Sequence, residues 1–172
     1  MAESVEMRRW GRIALITVLA IELLGGLSGW LSNSGYRNGW FDSLQKPFFM
    51  PPGWAFGVVW PILYGLMGIA LAMILALPPS PERKSALVLF FVQLALNFAW
   101  SPIFFAGHDI SLAKWVIFVM TVVAALAAGK FMRLKKPAGL LLIPYLGWLV
   151  FAATLNSTIE ALNPGAGTSL VS

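Results

Sequence analysis

The stretch WAFGVVWPILYGLMGIALAMILAL, residues Trp54 to Leu77, decides the fold of this chain. It lies inside a longer segment, Pro47 to Pro81, that contains no charged residue. A bilayer hydrocarbon core about 30 Å thick is crossed by roughly 20 apolar residues in an α-helix, so this stretch can span a membrane with some tilt. We therefore predict a transmembrane helix here.

Four further runs have the length and the composition of membrane spans. They lie at Trp10 to Leu31, Ser85 to Gly107, Leu112 to Met132 and Pro137 to Ile159. The chain of 172 residues is 59% hydrophobic, and a soluble fold could not cover so much apolar surface. We predict an all-α membrane protein, a single domain over residues 1–172 built as a five-transmembrane-helix bundle. The predicted helices are residues 10–31, 52–77, 84–106, 111–133 and 137–161.

The basic residues cluster beside the ends of the predicted helices and give an expected orientation. One side collects Arg8, Arg9, Arg12, Arg83, Lys84, Lys130, Arg133, Lys135 and Lys136, and the other side has Arg37, Lys46 and Lys114. Because basic loops favour the cytoplasmic face, nine residues against three predict a cytoplasmic amino terminus. A bacterial-type membrane is expected, with an organellar membrane as the alternative. Charge placed in this way suits lipid headgroups, so the bilayer is an expected partner and nucleic acid is not.

Several residues predict local departures from five straight helices. Pro61, Pro102 and Pro144 fall inside predicted helices, where each removes a backbone hydrogen bond and bends the helix. Such bends either help tilted helices to pack or open a cavity. Small residues at helical spacing permit close contact within the chain or between two copies, namely Gly25 with Gly29, Gly53 with Gly57, and Ala95 with Ala99. The tail from Asn163 to Ser172 is expected to fray.

Three predicted helices each place a tryptophan on the same face as a hydrogen-bonding side chain, by their spacing of three, four and seven residues. These faces carry Trp60, Tyr64 and Met67, then Asn97, Trp100, Ser101 and Phe104, then Trp148, Ala152, Leu155 and Asn156. Two interpretations stay open. In one, called helix glue below, the amides of Gln93, Asn97 and Asn156 form hydrogen bonds that hold neighbouring helices together. In the other, these amides belong to a cleft whose tryptophan walls suit a flat apolar ligand.

The segments that carry these faces resemble the TspO/MBR family of tryptophan-rich sensory proteins. The similar segments are Trp40 to Met67, Gln93 to Phe105 and Pro144 to Asn156, within a resemblance over about residues 10–162. The family includes bacterial TspO proteins and the mitochondrial translocator protein, once called the peripheral benzodiazepine receptor. The resemblance implies a five-helix bundle, often a homodimer, with a pocket under the first loop. Its expected ligands are porphyrins such as protoporphyrin IX, with haem as a further candidate, and cholesterol in eukaryotic members.

The resemblance also implies roles for individual residues. The resemblance and the helical faces described above together predict which residues bind the ligand. These residues are Trp60, Tyr64, Asn97, Trp100, Phe104, Trp148, Ala152 and Leu155. Some bacterial members are linked to light-dependent degradation of protoporphyrin by two tryptophans, which match Trp60 and Trp148. A pocket tryptophan of some members is Leu112 here, and the stretch from Leu155 to Ala161 lacks the tyrosine and basic residue of the animal cholesterol motif.

Few side chains in the predicted spans can act as acids, bases or nucleophiles. The chain has no Cys, and its one histidine, His108, falls in a predicted turn, so neither a metal site nor a required cofactor is expected. Glu22 is the only acidic residue deep in a span. It is either functional, or protonated and packed, or bonded to an amide of a neighbouring helix. Three functions stay open: a porphyrin-binding sensor or receptor, a transporter of tetrapyrroles or sterols, and a light-dependent porphyrin-degrading enzyme. We expect the first, because no charged pathway or inverted repeat is visible.

Overall fold

The computed structural model describes residues 2–167, with side chains from Trp10 onward. Its helices are α1 (Ala2–Leu31), α2 (Gly39–Ser43), α3 (Gly53–Leu75), α4 (Pro81–Ser101), α5 (Ile110–Leu134), α6 (Lys136–Leu140) and α7 (Ile143–Leu162). A π-helical turn, Pro102–Ala106, continues α4. The side chains of Arg8 and Arg9, which contribute to the predicted orientation, lie outside the described part of the chain.

Five helical segments among the described residues are long and apolar enough to cross a membrane. They are Trp10–Leu31, Gly53–Leu75, Pro81–Ala106, Ile110–Leu134 and Lys136–Leu162. The predicted all-α fold with five membrane spans is therefore confirmed. Large apolar side chains on the outside of the bundle, such as Leu23 and Val122, are exposed for contact with lipid. The protein is thus an integral multi-pass membrane protein.

Short connections with specific caps join α3, α4 and α5. Ser80 Oγ accepts a hydrogen bond of 3.1 Å from the Arg83 backbone N–H and so caps α4. Asp109 Oδ1 accepts one of 2.8 Å from the Leu112 backbone N–H and caps α5 in the same way. The Arg83 guanidinium donates to the carbonyl oxygens of Ile74 and Leu75, at 3.0 and 2.9 Å. Because these carbonyls end α3, the cation also opposes the negative end of that helix dipole.

The three prolines have three different outcomes. Pro61 lies within α3, and Pro102 begins the π-helical turn. Because Pro102 cannot donate to the carbonyl oxygen of Phe98, that oxygen instead accepts a hydrogen bond of 2.6 Å from Ser28 on α1. The prediction that Pro144 bends a continuous helix was wrong. The last span breaks between α6 and α7, and Pro144 lies in the first turn of α7, where a missing N–H costs nothing.

Helix α1 packs against α3 through glycines. A Cβ added to Gly68 would lie 2.6 Å from Val18 Cα, and the Gly68 carbonyl accepts a hydrogen bond of 2.8 Å from Thr17. A Cβ on Gly25 would overlap the ring of Tyr64. Among the predicted small-residue pairs, Gly25 therefore makes its close contact within the chain, while a Cβ on Gly57 would meet nothing within 4 Å.

The segment between the first two spans, residues 32–52, covers one end of the bundle and is called loop one. Within it, Phe41 is 3% exposed and packs edge-on against Phe104 and Phe105, with ring centroids 6.0 and 5.2 Å away. Asn38 donates a hydrogen bond of 3.2 Å to the Phe105 carbonyl. Loop one is thus packed on the π-helical turn at the end of α4.

Residues 163–167, which follow α7 and are called the C-terminal strap, contact loop one. Asn163 and Ala166 both hydrogen-bond with it. The prediction of a frayed tail is therefore wrong for the strap, because hydrogen bonds to residues distant in sequence hold it in place. Residues 168–172 lie outside the described part of the chain.

Candidate ligand-binding site

Two indoles meet between α3 and α7. The ring centroids of Trp60 and Trp148 lie 6.3 Å apart at an angle of 82°. Phe56 packs edge-on against Trp148 at 5.8 Å, and Tyr64 lies 5.1 Å from Trp60. Both indoles are partly buried. These four rings form an aromatic wall that combines two spans distant in sequence.

A buried chain of hydrogen bonds runs beside this wall and is called the tyrosine–amide network. The Tyr64 hydroxyl donates to Asn97 Oδ1 at 2.8 Å, and Asn97 Nδ2 donates to the Tyr145 hydroxyl at 3.1 Å. Tyr145 in turn donates to Gln93 Oε1 at 2.8 Å. The four side chains are at most 9% exposed. Since a buried polar group without a partner is costly in an apolar medium, the network fixes how α3, α4 and α7 face each other.

Helix α1 supports the network from the other side. The absence of a side chain at Gly25 gives the Tyr64 ring its space against α1. One turn earlier along α1, Glu22 lies beside α3, with Oε1 4.0 Å from where a Cβ on Gly65 would be. Glu22 thus lies at the α1–α3 contact, beside Gly65, the residue that follows Tyr64 on α3.

A second aromatic cluster lies between the paired indoles and loop one. It contains Phe104 and Leu155, at 1% and 7% exposure, packed with Phe41 and Leu44 of loop one. Trp100 stacks on Phe104, with ring centroids 5.0 Å apart and planes 20° from parallel. Trp100 also packs against the main core, so it joins the two aromatic regions.

Two buried polar atoms in this region have no hydrogen-bond partner among the described residues. They are Nε1 of Trp100 and Oδ1 of Asn156. The Asn156 amide nitrogen is used, because it donates at 3.0 Å to the Ile110 carbonyl. One donor and one acceptor are therefore available in an otherwise apolar surrounding, where leaving them unpaired is unfavourable.

The predicted site residues divide between the two regions. Trp60, Tyr64, Asn97 and Trp148 come together, and Ala152 packs against the same core. Phe104 and Leu155 lie in the cluster under loop one. The interpretation of Gln93, Asn97 and Asn156 as helix glue is confirmed, because each hydrogen-bonds to another helix.

Reasoning from the sequence missed Tyr145 and Phe56 as members of the site. Tyr145 precedes Trp148 by three residues, and Phe56 precedes Trp60 by four, so both share a helical face with a predicted site residue. That spacing was the available signal. His108 lies elsewhere, stacked on Trp40 of loop one at 4.3 Å between ring centroids.

Loop one also contains Lys46 and the phenol of Tyr36, whose pKa is shifted. The Lys46 ammonium lies 4.8 Å above the centre of the Phe41 ring and donates to the carbonyls of Asp42 and Leu44. Tyr36 donates a hydrogen bond of 2.8 Å to the Pro51 carbonyl. Burial, and then the negative charge of Asp42, raises the pKa of Tyr36. One hydrogen bond within loop one, from Tyr36 to the Pro51 carbonyl, thus depends on a neutral phenol.

Five membrane-spanning helices around paired indoles and a buried polar network define an integral membrane protein with an internal aromatic site. The sequence profile of the TspO/MBR family matches residues 16–162. The chain belongs to the TspO/MBR family.

Relatives of this chain come from bacteria, archaea and animals. It is 38% identical over 159 residues to the tryptophan-rich protein TspO of Chlorobaculum tepidum, which covers 88% of this chain and 97% of the relative. It is 38% identical to the tryptophan-rich protein TspO of Archaeoglobus fulgidus, over 87% and 94% of the two chains. The translocator protein of Sus scrofa is 36% identical, over 87% and 92%. Similarity therefore extends over nearly the whole of each relative.

Proposed function

We propose that this protein is a membrane receptor that binds a flat, mostly apolar ligand of the porphyrin class beside the Trp60–Trp148 pair. The observation that carries the proposal is the contact of these two partly buried indoles, whose ring centroids lie 6.3 Å apart. Indole faces stack on flat conjugated rings, and a water-poor surrounding favours an apolar macrocycle. A sensory role agrees with the name of one relative, a tryptophan-rich sensory protein of Cereibacter sphaeroides that is 37% identical over 124 residues.

The polar atoms around the indoles suit the edge of such a ligand. The buried Trp100 N–H has no acceptor within the part of the chain that the structure describes, and a carboxylate or ring nitrogen of the ligand would supply one. The tyrosine–amide network is satisfied internally, so its role in the proposal is to hold Trp60 and Trp148 in position. Ala152 follows Trp148 by four residues on α7, so its small side chain lies one helical turn away on the same face.

The test is an equilibrium titration of the detergent-solubilised protein with protoporphyrin IX, followed by the shift of the Soret band. Trp60→Phe and Trp148→Phe remove indole area from the site, and Trp115→Phe is the control because Trp115 is 62% exposed on the outer face of α5. We expect saturable binding, weakened about fivefold by either site change, since aromatic contacts contribute about 1 kcal/mol beyond burial. Non-saturating uptake that is identical in all variants would overturn the proposal.

Transport of a tetrapyrrole or sterol is the second candidate function. The observation that favours it is the name of the animal relatives, translocator proteins, which are similar over most of this chain. Counterflow of labelled protoporphyrin IX across liposomes separates the two functions. Accelerated exchange that Trp60→Phe reduces would support transport, whereas binding without exchange would support the receptor.

Light-dependent oxidation of a bound porphyrin by dioxygen is a third candidate. It is favoured by the position of two oxidisable indoles in direct contact. Illumination of the complex in air, with a dark sample and an oxygen-free sample as controls, tests it. Loss of the Soret band only in light and air, and only with both indoles present, would support this activity.

A further inference from the structure

The side chain of Asn163 is paired with the backbone of a residue in loop one. Asn163 Oδ1 accepts a hydrogen bond of 2.7 Å from the Gln45 N–H, and Asn163 Nδ2 donates one of 2.8 Å to the Gln45 carbonyl. The same Nδ2 donates to the Ile159 carbonyl at 2.8 Å, which anchors the amide on α7. Loop one is thereby fastened to the end of the last span by a two-point contact.

A second contact joins the C-terminal strap to loop one. The indole N–H of Trp40 donates to the Ala166 carbonyl at 3.1 Å, while the face of the same indole stacks on His108. Gly167 lies against the turn that holds His108, because a Cβ there would be 2.9 Å from the His108 carbonyl oxygen. A backbone hydrogen bond of 3.1 Å from Ala166 N to Asn163 O folds the strap between the two contacts.

The position of loop one makes this fastening relevant to the site. Phe41 and Leu44 of loop one cover Phe104, on which Trp100 stacks. A ligand that approaches the buried Trp100 N–H from this end must therefore displace loop one. Three hydrogen bonds between loop one and the strap oppose this displacement. Two of them involve the Asn163 side chain, and one involves the Ala166 carbonyl.

We propose that the C-terminal strap, through Asn163 and Ala166, fastens loop one over the aromatic site and sets the rates at which a ligand enters and leaves. Asn163 is a positioning residue and does not itself contact the ligand. This inference rests on the proposed function for the identity of the ligand. The fastening itself concerns only residues of this chain and can be measured without any ligand.

The first test compares Asn163→Ala with Gln45→Ala, a control at the same contact that keeps the backbone N–H and carbonyl of residue 45. Hydrogen exchange by mass spectrometry, in detergent and without ligand, reports the opening of loop one. We expect exchange in residues 38–50 to rise about tenfold in Asn163→Ala, the effect of losing two hydrogen bonds of ordinary net strength, and to stay unchanged in Gln45→Ala. Equal exchange in the two variants would overturn the fastening.

The ligand rates are measured by stopped-flow with protoporphyrin IX. In Asn163→Ala we expect association and dissociation to accelerate by similar factors, because the fastening closes loop one in both the free and the bound protein. The dissociation constant should therefore change less than either rate. Unchanged rates despite faster hydrogen exchange would contradict control of ligand entry by the strap.

A second variant keeps the inference testable if Asn163→Ala folds poorly. The chain has no native Cys, so Gln45→Cys with Asn163→Cys introduces the only possible disulfide. Oxidation should slow porphyrin entry and reduction should restore it, while oxidised rates equal to reduced rates would overturn the inference. If the unaltered protein binds no porphyrin, the proposed function is wrong, and the fastening is then judged by hydrogen exchange alone.

Discussion

The hydroxyl of Tyr64 on α3 donates a hydrogen bond of 2.8 Å to Oδ1 of Asn97 on α4. Through Asn97 the contact extends to Tyr145 on α7, so one amide joins three spans. The rotation of each helix about its axis is thereby restricted. Trp60, one turn from Tyr64, and Trp148, one turn from Tyr145, are brought face to edge as a result. The network thus positions the site.

Replacing this amide should weaken the bundle. Asn97→Leu leaves the Tyr64 hydroxyl buried without an acceptor, and we expect a loss of about 1–3 kcal/mol in the free energy of unfolding. Thermal unfolding in detergent, followed by circular dichroism, measures the change. Thr154→Val is the control, because Thr154 is exposed and bonds only to its own helix. A midpoint for Asn97→Leu no lower than that of the control would contradict a stabilising role for the network.

Replacing Gly68 on α3 and Gly26 on α1 with alanine should change the free energy of unfolding in opposite directions. Gly68→Ala places a Cβ against the backbone of Val18, which cannot move aside. The free energy of unfolding should therefore fall by about 1–3 kcal/mol. Gly26→Ala meets nothing within 4 Å and should stabilise α1 by up to about 1 kcal/mol, because alanine favours the helix. Unfolding midpoints of the two variants test this directly. Equal shifts would show that α1 does not pack on α3 through Gly68.

The phenol of Tyr36 should make loop one sensitive to alkali. Its pKa is raised by burial and by Asp42, so the folded protein holds the proton at a pH where the unfolded chain, with a pKa of about 10, has lost it. The resulting stability is complete below about pH 10 and is lost as pH rises through the folded pKa. The phenolate can no longer donate to the Pro51 carbonyl.

The measurement for this prediction is the unfolding midpoint at a series of pH values from about 8 to 11. The midpoint of the unaltered protein should fall over the upper part of this range by more than that of Tyr36→Phe, which has no proton to lose. Parallel curves for the two proteins would show that Tyr36 does not couple loop one to pH.

The spans and the helical faces could be predicted from the sequence because both are local properties. Runs of apolar residues about as long as a bilayer is thick gave five spans, and a spacing of three or four residues placed Trp60 with Tyr64. Which faces meet across the bundle is not local. The fit of the Tyr64 ring against Gly25 and the hydrogen bond from Tyr145 to Gln93 depend on residues far apart in sequence.

Other features escaped prediction for related reasons. The break before α7 depends on where the helix can tolerate Pro144, and the donor to the Phe98 carbonyl before the π-helical turn comes from Ser28, on another helix. The strap was expected to fray because its composition resembles a flexible tail. Composition reports only what a segment does alone, whereas Asn163 is held by Gln45, which lies 118 residues away in sequence.

The position of a bound porphyrin can be read from the indole N–H resonances of the protein. The chain has eight tryptophans, and each ¹⁵N-indole signal is assigned by its loss in one Trp→Phe variant. We expect protoporphyrin IX to shift the signals of Trp60, Trp148 and Trp100 most, through ring currents and through a new acceptor for the Trp100 N–H. The exposed Trp54 and Trp115 should change little. Shifts that are largest at Trp54 and Trp115, with Trp60 and Trp148 unmoved, would place the porphyrin on the outer surface and contradict an internal site.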